Sequence, residues 1–213
     1  MPPSTEDLLT TALRHFQAAR STEAAAIVTD ILARDPNQPQ SLLLLGLITA
    51  DGDDPAAAEA VFRRYLTLVP EDALALHNLG KLRQRQGDDA AAVDFFERAA
   101  ARRPDFAPTA NDLGVSLHRL RRFDAALAAL DRAVAIDPTY AAALANRGQA
   151  LVEMGRAGEA ADAFRQVLTL TPEASDAWHN LAVALYNLGD LGEAEAACRR
   201  AIRTSRNRCC CLA

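Results

Sequence analysis

The sequence predicts an all-α protein built from six stacked helix pairs. Three observations carry this: a proline that returns at a fixed interval, two columns of small residues in register with it, and a composition rich in Ala and poor in aromatics. Pro36, Pro70, Pro104, Pro138 and Pro172 stand 34 residues apart. With each at position 32 of a 34-residue repeat, the chain divides into 5–38, 39–72, 73–106, 107–140, 141–174 and 175–208. Such self-similarity marks a repeat architecture. Ala makes up about a fifth of the residues and has the highest helix propensity. The 5% of aromatic residues among 213 is little for one thick core but enough for thin helix layers.

The first helix of each repeat carries position 8: Ala12, Gly46, Gly80, Gly114, Gly148 and Ala182. The second carries position 20: Ala24, Ala58, Ala92, Ala126, Ala160 and Ala194. Two small columns twelve residues apart let the backbones of an antiparallel pair approach closely. Position 7 (Leu45, Leu79, Leu113, Leu181) and position 24 (Phe62, Phe96, Leu130, Phe164) supply the larger packing groups. Gly52, Gly87, Gly155 and Gly189 end the first helices of their repeats. The second helices, in patterns such as Ala90 to Ala101 and Glu159 to Thr169, stop before the ruler proline, because a residue preceding Pro avoids the helical region. No strand pattern competes. One pair cannot bury its apolar faces alone, so neighbours stack into a solenoid with a continuous core.

These columns resemble the tetratricopeptide repeat family, on Leu76, Leu79, Gly80, Ala92, Phe96, Ala99 and Pro104 in repeat three and Trp178, Leu181, Ala182 and Ala194 in repeat six. Repeat one departs most, with Thr11 at position 7 and Ile31 at position 27, as terminal repeats do. The resemblance implies a right-handed superhelical solenoid of 5–208, a disordered stretch at 1–4 and a Cys-rich tail at 209–213. It also implies a concave groove lined by the first helices. Position 6 then points inward and reads Thr10, Leu44, Asn78, Asp112, Asn146 and Asn180. An amide offers donors and an acceptor, so it can hold a peptide N–H and C=O whatever the ligand's side chains. The row resembles the asparagine ladder in the repeat domain of O-linked N-acetylglucosamine transferases, and its alternative reading is local bonding within the helix. Asp112 accepts only.

The family's other binding mode, a basic clamp for a terminal carboxylate, wants Lys, Asn and Arg at positions 2, 5, 6 and 9. Position 5 reads His77, Asn111, Ala145 and His179, and position 9 Lys81, Val115, Gln149 and Val183, so the clamp is missing. The expected groove residues are therefore Asn78, Asp112, Asn146 and Asn180, flanked by His77, Asn111, Lys81 and His179. The function this implies is a non-catalytic scaffold that binds an extended polypeptide. Alternatives are the substrate-recruiting region of a larger glycosyltransferase or sulfotransferase, and a lipid-anchored adaptor.

Other chemistry is thin. The net charge of −5 gives no basic footprint for nucleic acid. The longest apolar run, around Leu42 to Leu45, falls short of a membrane span, and the start of the chain has no basic, apolar leader, so a cytoplasmic site is expected. His15, His77, His118 and His179 lie in separate repeats without metal-ligand spacing, and Asp51, Asp53, Asp54, Asp88 and Asp89 read as solvated turns. No phosphate loop or nucleophile elbow occurs, and no cofactor or enzyme activity is expected. Repeat six has Arg206 where the proline belongs. With no polar capping helix following, Ala194, Ala197, Cys198, Ala201 and Ile202 are left to face solvent, the tail or a second copy of the chain. Cys210-Cys211-Leu212-Ala213 formally matches a prenylation box, accompanied by Arg199, Arg200, Arg203, Arg206 and Arg208. Metal or redox use of Cys209, Cys210 and Cys211, or a remnant of a longer reading frame, are the other readings.

Overall fold

The ruler prolines set where helices end. In the computed structural model the residues before them, Asp35, Val69, Arg103, Asp137 and Thr171, have φ between −126° and −134° and ψ between 79° and 96°. The pyrrolidine ring drives each out of the helical region, and every second helix stops one residue earlier. The structure describes residues 3–52 and 54–210, and of 206–210 the helix only. Those residues form twelve helices and no strand.

They are described as two compact units, with the division between Pro104 and Asp105. The first holds α1 (Thr5–Gln17), α2 (Ser21–Arg34), α3 (Pro39–Ala50), α4 (Pro55–Leu68), α5 (Ala73–Arg85) and α6 (Asp89–Arg102). The second holds α7 (Ala107–Arg119), α8 (Phe123–Ile136), α9 (Ala141–Glu153), α10 (Ala157–Leu170), α11 (Ser175–Leu188) and α12 (Leu191–Cys210). Within each unit, a first helix packs on its own second helix and on the first helix of the next repeat.

Side-chain caps start several of these helices. Ser4 accepts from the Asp7 N–H while Asp7 reaches back to the Ser4 N–H, so Ser4, expected outside the array, opens α1 with a capping box. Asp54 caps α4, accepting from the Ala56 and Ala57 N–H groups, and Asp88 caps α6, accepting from the Ala91 N–H. That is the structural role of two of the carboxylates in the acidic turns; Asp53 lies outside the described residues. At the far end of α3, Arg85 Nη1 donates to the Ala50 carbonyl at 2.6 Å and satisfies a carbonyl the helix itself leaves open.

The core is a set of position-24 side chains seated on position-8 glycines. Phe62, Phe96, Leu130 and Phe164 are fully buried. A methyl group built on Gly46, Gly80, Gly114 or Gly148 would come within 2.5 to 2.7 Å of the same repeat's position-24 side chain. The column is small because a ring or isobutyl group occupies the space of the missing Cβ. Repeats one and six carry Ala at position 8 and a smaller partner, Val28 or Cys198, at position 24.

The turns between paired helices differ in one respect from expectation. The left-handed residue stands at position 15: Ala19 (φ 57°), Gly87 (79°), Arg121 (59°), Gly155 (72°) and Gly189 (87°). Gly52 occupies position 14 and is not left-handed. Glycine takes this conformation freely, whereas Ala19 and Arg121 hold it against the clash of their Cβ with the backbone.

Lacking the proline, α12 does not stop at position 30, Thr204, but continues to Cys210. Ala194 and Ala197, expected to face outward, are buried at 7% and 3% exposure because they pack within the last helix pair. Cys198 and Ile202 are exposed as expected. The side chains of Cys209 and Cys210, and all of Cys211, lie outside the described residues. Among the described residues, no helix is long and apolar enough to cross a membrane, and no group of three or more potential metal-ligating side chains forms.

Candidate functional site

The expected groove residues fall in both units, and their side chains find different partners. Asn78, with His77 and Lys81, belongs to the first unit; Asn111, Asp112, Asn146, His179 and Asn180 belong to the second. In α5 the Asn78 side chain turns back on its own helix, where Nδ2 donates to the Leu74 carbonyl at 2.8 Å. This is the local bonding that short polar side chains offer a helix. His77 is 6% exposed, its ring 5.7 Å from that of Phe96, so it is a core residue. Burial, with a smaller contribution from Lys81, lowers its pKa to about 4, which keeps the imidazole neutral.

The second unit is organised differently. Asn146 Nδ2 of α9 donates to Asn111 Oδ1 of α7 at 2.9 Å, and Asn111 Nδ2 donates to Asp112 Oδ1 at 2.9 Å. Asp112, which accepts only, orients the Asn111 amide, and Asn111 orients Asn146. Asn111 is 5% exposed, so it acts as the middle of this chain and not as a ligand contact. Asn146 is half-buried, and its Oδ1 has no hydrogen-bond partner among the described residues. Asp112 contributes to raising the pKa of the Tyr140 hydroxyl, after burial and before Asp137.

Beside this network the first helices enclose a pocket of about 230 Å³, lined by His118 of α7, Gln149, Val152 and Glu153 of α9, Phe164 of α10, and Asn180 and Val183 of α11. Two features make it receptive. The His118 Nε2 atom is buried with no hydrogen-bond partner, and an unpaired buried polar atom favours whatever completes it. The lining combines apolar side chains (Val152, Phe164, Val183) with amide, imidazole and carboxylate groups. Asn180 is the single expected residue in that lining; His179 is exposed on the same helix outside it. His118, Gln149, Val152 and Glu153 occupy positions 12, 9, 12 and 13. Reading position 12 down the repeats, with the same ruler that gave position 6, would have singled out His118 and Val152.

A helical-hairpin repeat protein with a polar first-helix face is the class these features define. Tetratricopeptide repeat models match residues 9–73 and 145–208, 105–173, and 75–108. The chain belongs to the tetratricopeptide repeat family. No curated protein sequence matches it significantly. Among solved structures it is similar to PilW, a widely conserved type IV pilus biogenesis factor, with a TM-score of 0.74 or above in common with the others named here: 0.78 at 21% identity, covering 91% of this chain and 90% of that one. MamA gives 0.74 at 22% identity over 78% of this chain and 96% of that one. YrrB, described as a TPR protein with an unusual peptide-binding site, gives 0.74 at 22% identity over 83% and 91%. At these identities the likeness establishes the fold.

Proposed function

We propose that the chain is a non-catalytic scaffold that binds an extended polypeptide segment along the first helices of its second unit, α7, α9 and α11. The observation that supports this most is the bonded series Asn146, Asn111, Asp112. It holds the Asn146 amide in one orientation before a ligand arrives, so little side-chain entropy is lost on binding. The free Asn146 Oδ1 meets a peptide N–H, Asn180 adds a second amide contact, and one ligand side chain enters the pocket between His118, Glu153 and Val183. The likeness to YrrB is consistent with peptide recognition. The O-linked N-acetylglucosamine transferase ladder remains a model for how Asn146 and Asn180 act, with Asn78 outside it.

Selecting binders from a displayed random-peptide library, then measuring their affinity, tests this reading. Asn146→Ala with Asn180→Ala is expected to weaken the selected peptides at least tenfold, at about 1 kcal/mol or more for each lost hydrogen bond. Asn78→Ala, whose amide is already satisfied by its own helix, is expected to leave them unchanged. Equal affinity of the wild type and the double variant would remove the second-unit face as the binding site.

A further inference from the structure

The side of the last helix pair, α11 and α12, carries the most concentrated apolar exposure among the described residues. Tyr186 is 67% exposed, Leu191 63% and Ile202 56%, with Val183 and Cys198 between them. Two adjoining grooves of about 320 and 400 Å³ run along the seam of the pair. One is lined by Tyr186, Leu191 and Cys198, the other by Ser175, Ile202 and Ser205, and His179 borders both. On α12 the exposed series Leu191, Glu195, Cys198, Ile202 advances by four, three and four residues, which keeps it on one helix face.

We infer that this face is the interface of a homodimer, in which the α12 helices of two copies lie antiparallel across a two-fold axis near Cys198. Charge selects both the occupant and its direction. Along the flank of this face Glu195 precedes Cys198, and Arg199 and Arg203 follow it, whereas Glu193 is paired with Arg165 and Arg200 lies over the Trp178 ring on the other side of the helix. A second α12 running the opposite way about Cys198 brings Arg199 and Arg203 of each copy towards Glu195 of the other, whereas a parallel one sets like against like. The intrahelical Glu195–Arg199 pair, at 2.6 Å, sits beside the apolar stripe and is placed to extend across the axis. The first helix pair offers no matching surface for a head-to-tail arrangement, since α1 and α2 expose one large apolar side chain, Leu13, at 42%. The contact is therefore isologous and closed, and does not propagate into a filament. It shares Val183 with the pocket of the peptide-binding reading, but none of the residues substituted below lines that pocket.

Sedimentation analysis of the full chain in reductant, over a concentration series, tests the inference. The wild type is expected to associate to a dimer and no further. Leu191→Glu with Ile202→Glu is expected to weaken association about a hundredfold or more, by burying charges without partners, while far-ultraviolet circular dichroism stays unchanged. Glu195→Arg alone is expected to weaken the dimer, and adding Arg199→Glu to restore it. Leu13→Glu is expected to have no effect. A wild type that stays monomeric to its solubility limit, a dimer indifferent to the Leu191 and Ile202 substitutions, or one dissociated by Leu13→Glu would overturn it. If the double-Glu variant loses helicity, the Glu195 and Arg199 exchange decides, and failure of the exchange to restore association counts against antiparallel pairing.

Discussion

Repeats two to five and the two terminal repeats solve the same packing problem with opposite divisions of volume. In the middle repeats position 8 is Gly and position 24 is Phe or Leu; in repeats one and six Ala12 faces Val28 and Ala182 faces Cys198. Position 8 is larger at the ends than in the middle repeats, and position 24 changes the opposite way. The two columns vary in opposite directions from repeat to repeat, and neither alone explains the distance between paired helices.

The largest expected effect comes from breaking that division. Gly114→Leu places a branched side chain where Leu130 Cγ already stands 2.5 Å from a bare Cβ and the Ala126 carbonyl 3.2 Å away. It is expected to destabilise by about 3 kcal/mol or more in chemical denaturation, because neither neighbour can retreat. A subtler version sharpens the comparison. Gly148→Ala is expected to cost about 2 kcal/mol against the Phe164 ring, and much less when combined with Phe164→Val, giving a coupling energy of about 1 kcal/mol or more in a double-mutant cycle. At the end of the array, Ala182→Gly is expected to cost the helix propensity difference plus the burial of one methyl, about 2 kcal/mol together. An additive Gly148–Phe164 cycle would show that the two columns are small and large for unrelated reasons.

Position 5 gives a second contrast, of intermediate size. His77 in repeat three is buried against Phe96, and His179 in repeat six, where position 24 is Cys198, is exposed. The unfolded chain's imidazole takes up its proton near pH 6.5, and folded His77 only near 4. Between those values the unfolded state binds more protons, so stability rises with pH across the window and is lost as pH falls through it. The full loss approaches about 3 kcal/mol. His77→Gln is expected to flatten the dependence of unfolding free energy on pH from 6.5 to 4. A slope that survives His77→Gln would assign the pH dependence elsewhere.

The repeat ruler was legible because proline acts through the backbone alone. Its effect on the preceding residue needs no tertiary context, and all five such residues adopt the same conformation. Helix existence and the small columns could be read for the same reason. The turn column was read less well: Gly52 sits one place early, and Ala19 and Arg121 take the left-handed conformation that glycine advertises elsewhere. Most was lost at the candidate site. A position on a ruler fixes which way a Cβ points but not where an amide finds its partner. Asn78 and Asn146 share position 6, yet one bonds its own helix at Leu74 and the other reaches α7, because repeat four has Asn111 to accept and Asp112 to orient it. Repeat two, before Asn78, has Leu43 and Leu44 in those places.

The smallest effect tests the far end of the comparison. Helices α2, α4, α6, α8 and α10 stop at position 30, and α12, with Arg206 at position 32, runs six residues past it. If the proline alone sets the stop, Arg206→Pro should push Ser205 to extended backbone and release the helix beyond Thr204. Global stability should move by less than ~0.5 kcal/mol, because the packed part of α12, through Ala194 and Ala197, precedes the change. Amide hydrogen exchange of residues 205–210 reads the outcome directly: protection is expected in the wild type and its loss in the variant, with the amides of 191–203 unaltered. Retained protection would mean that packing, not the ring of the proline, ends the other five helices.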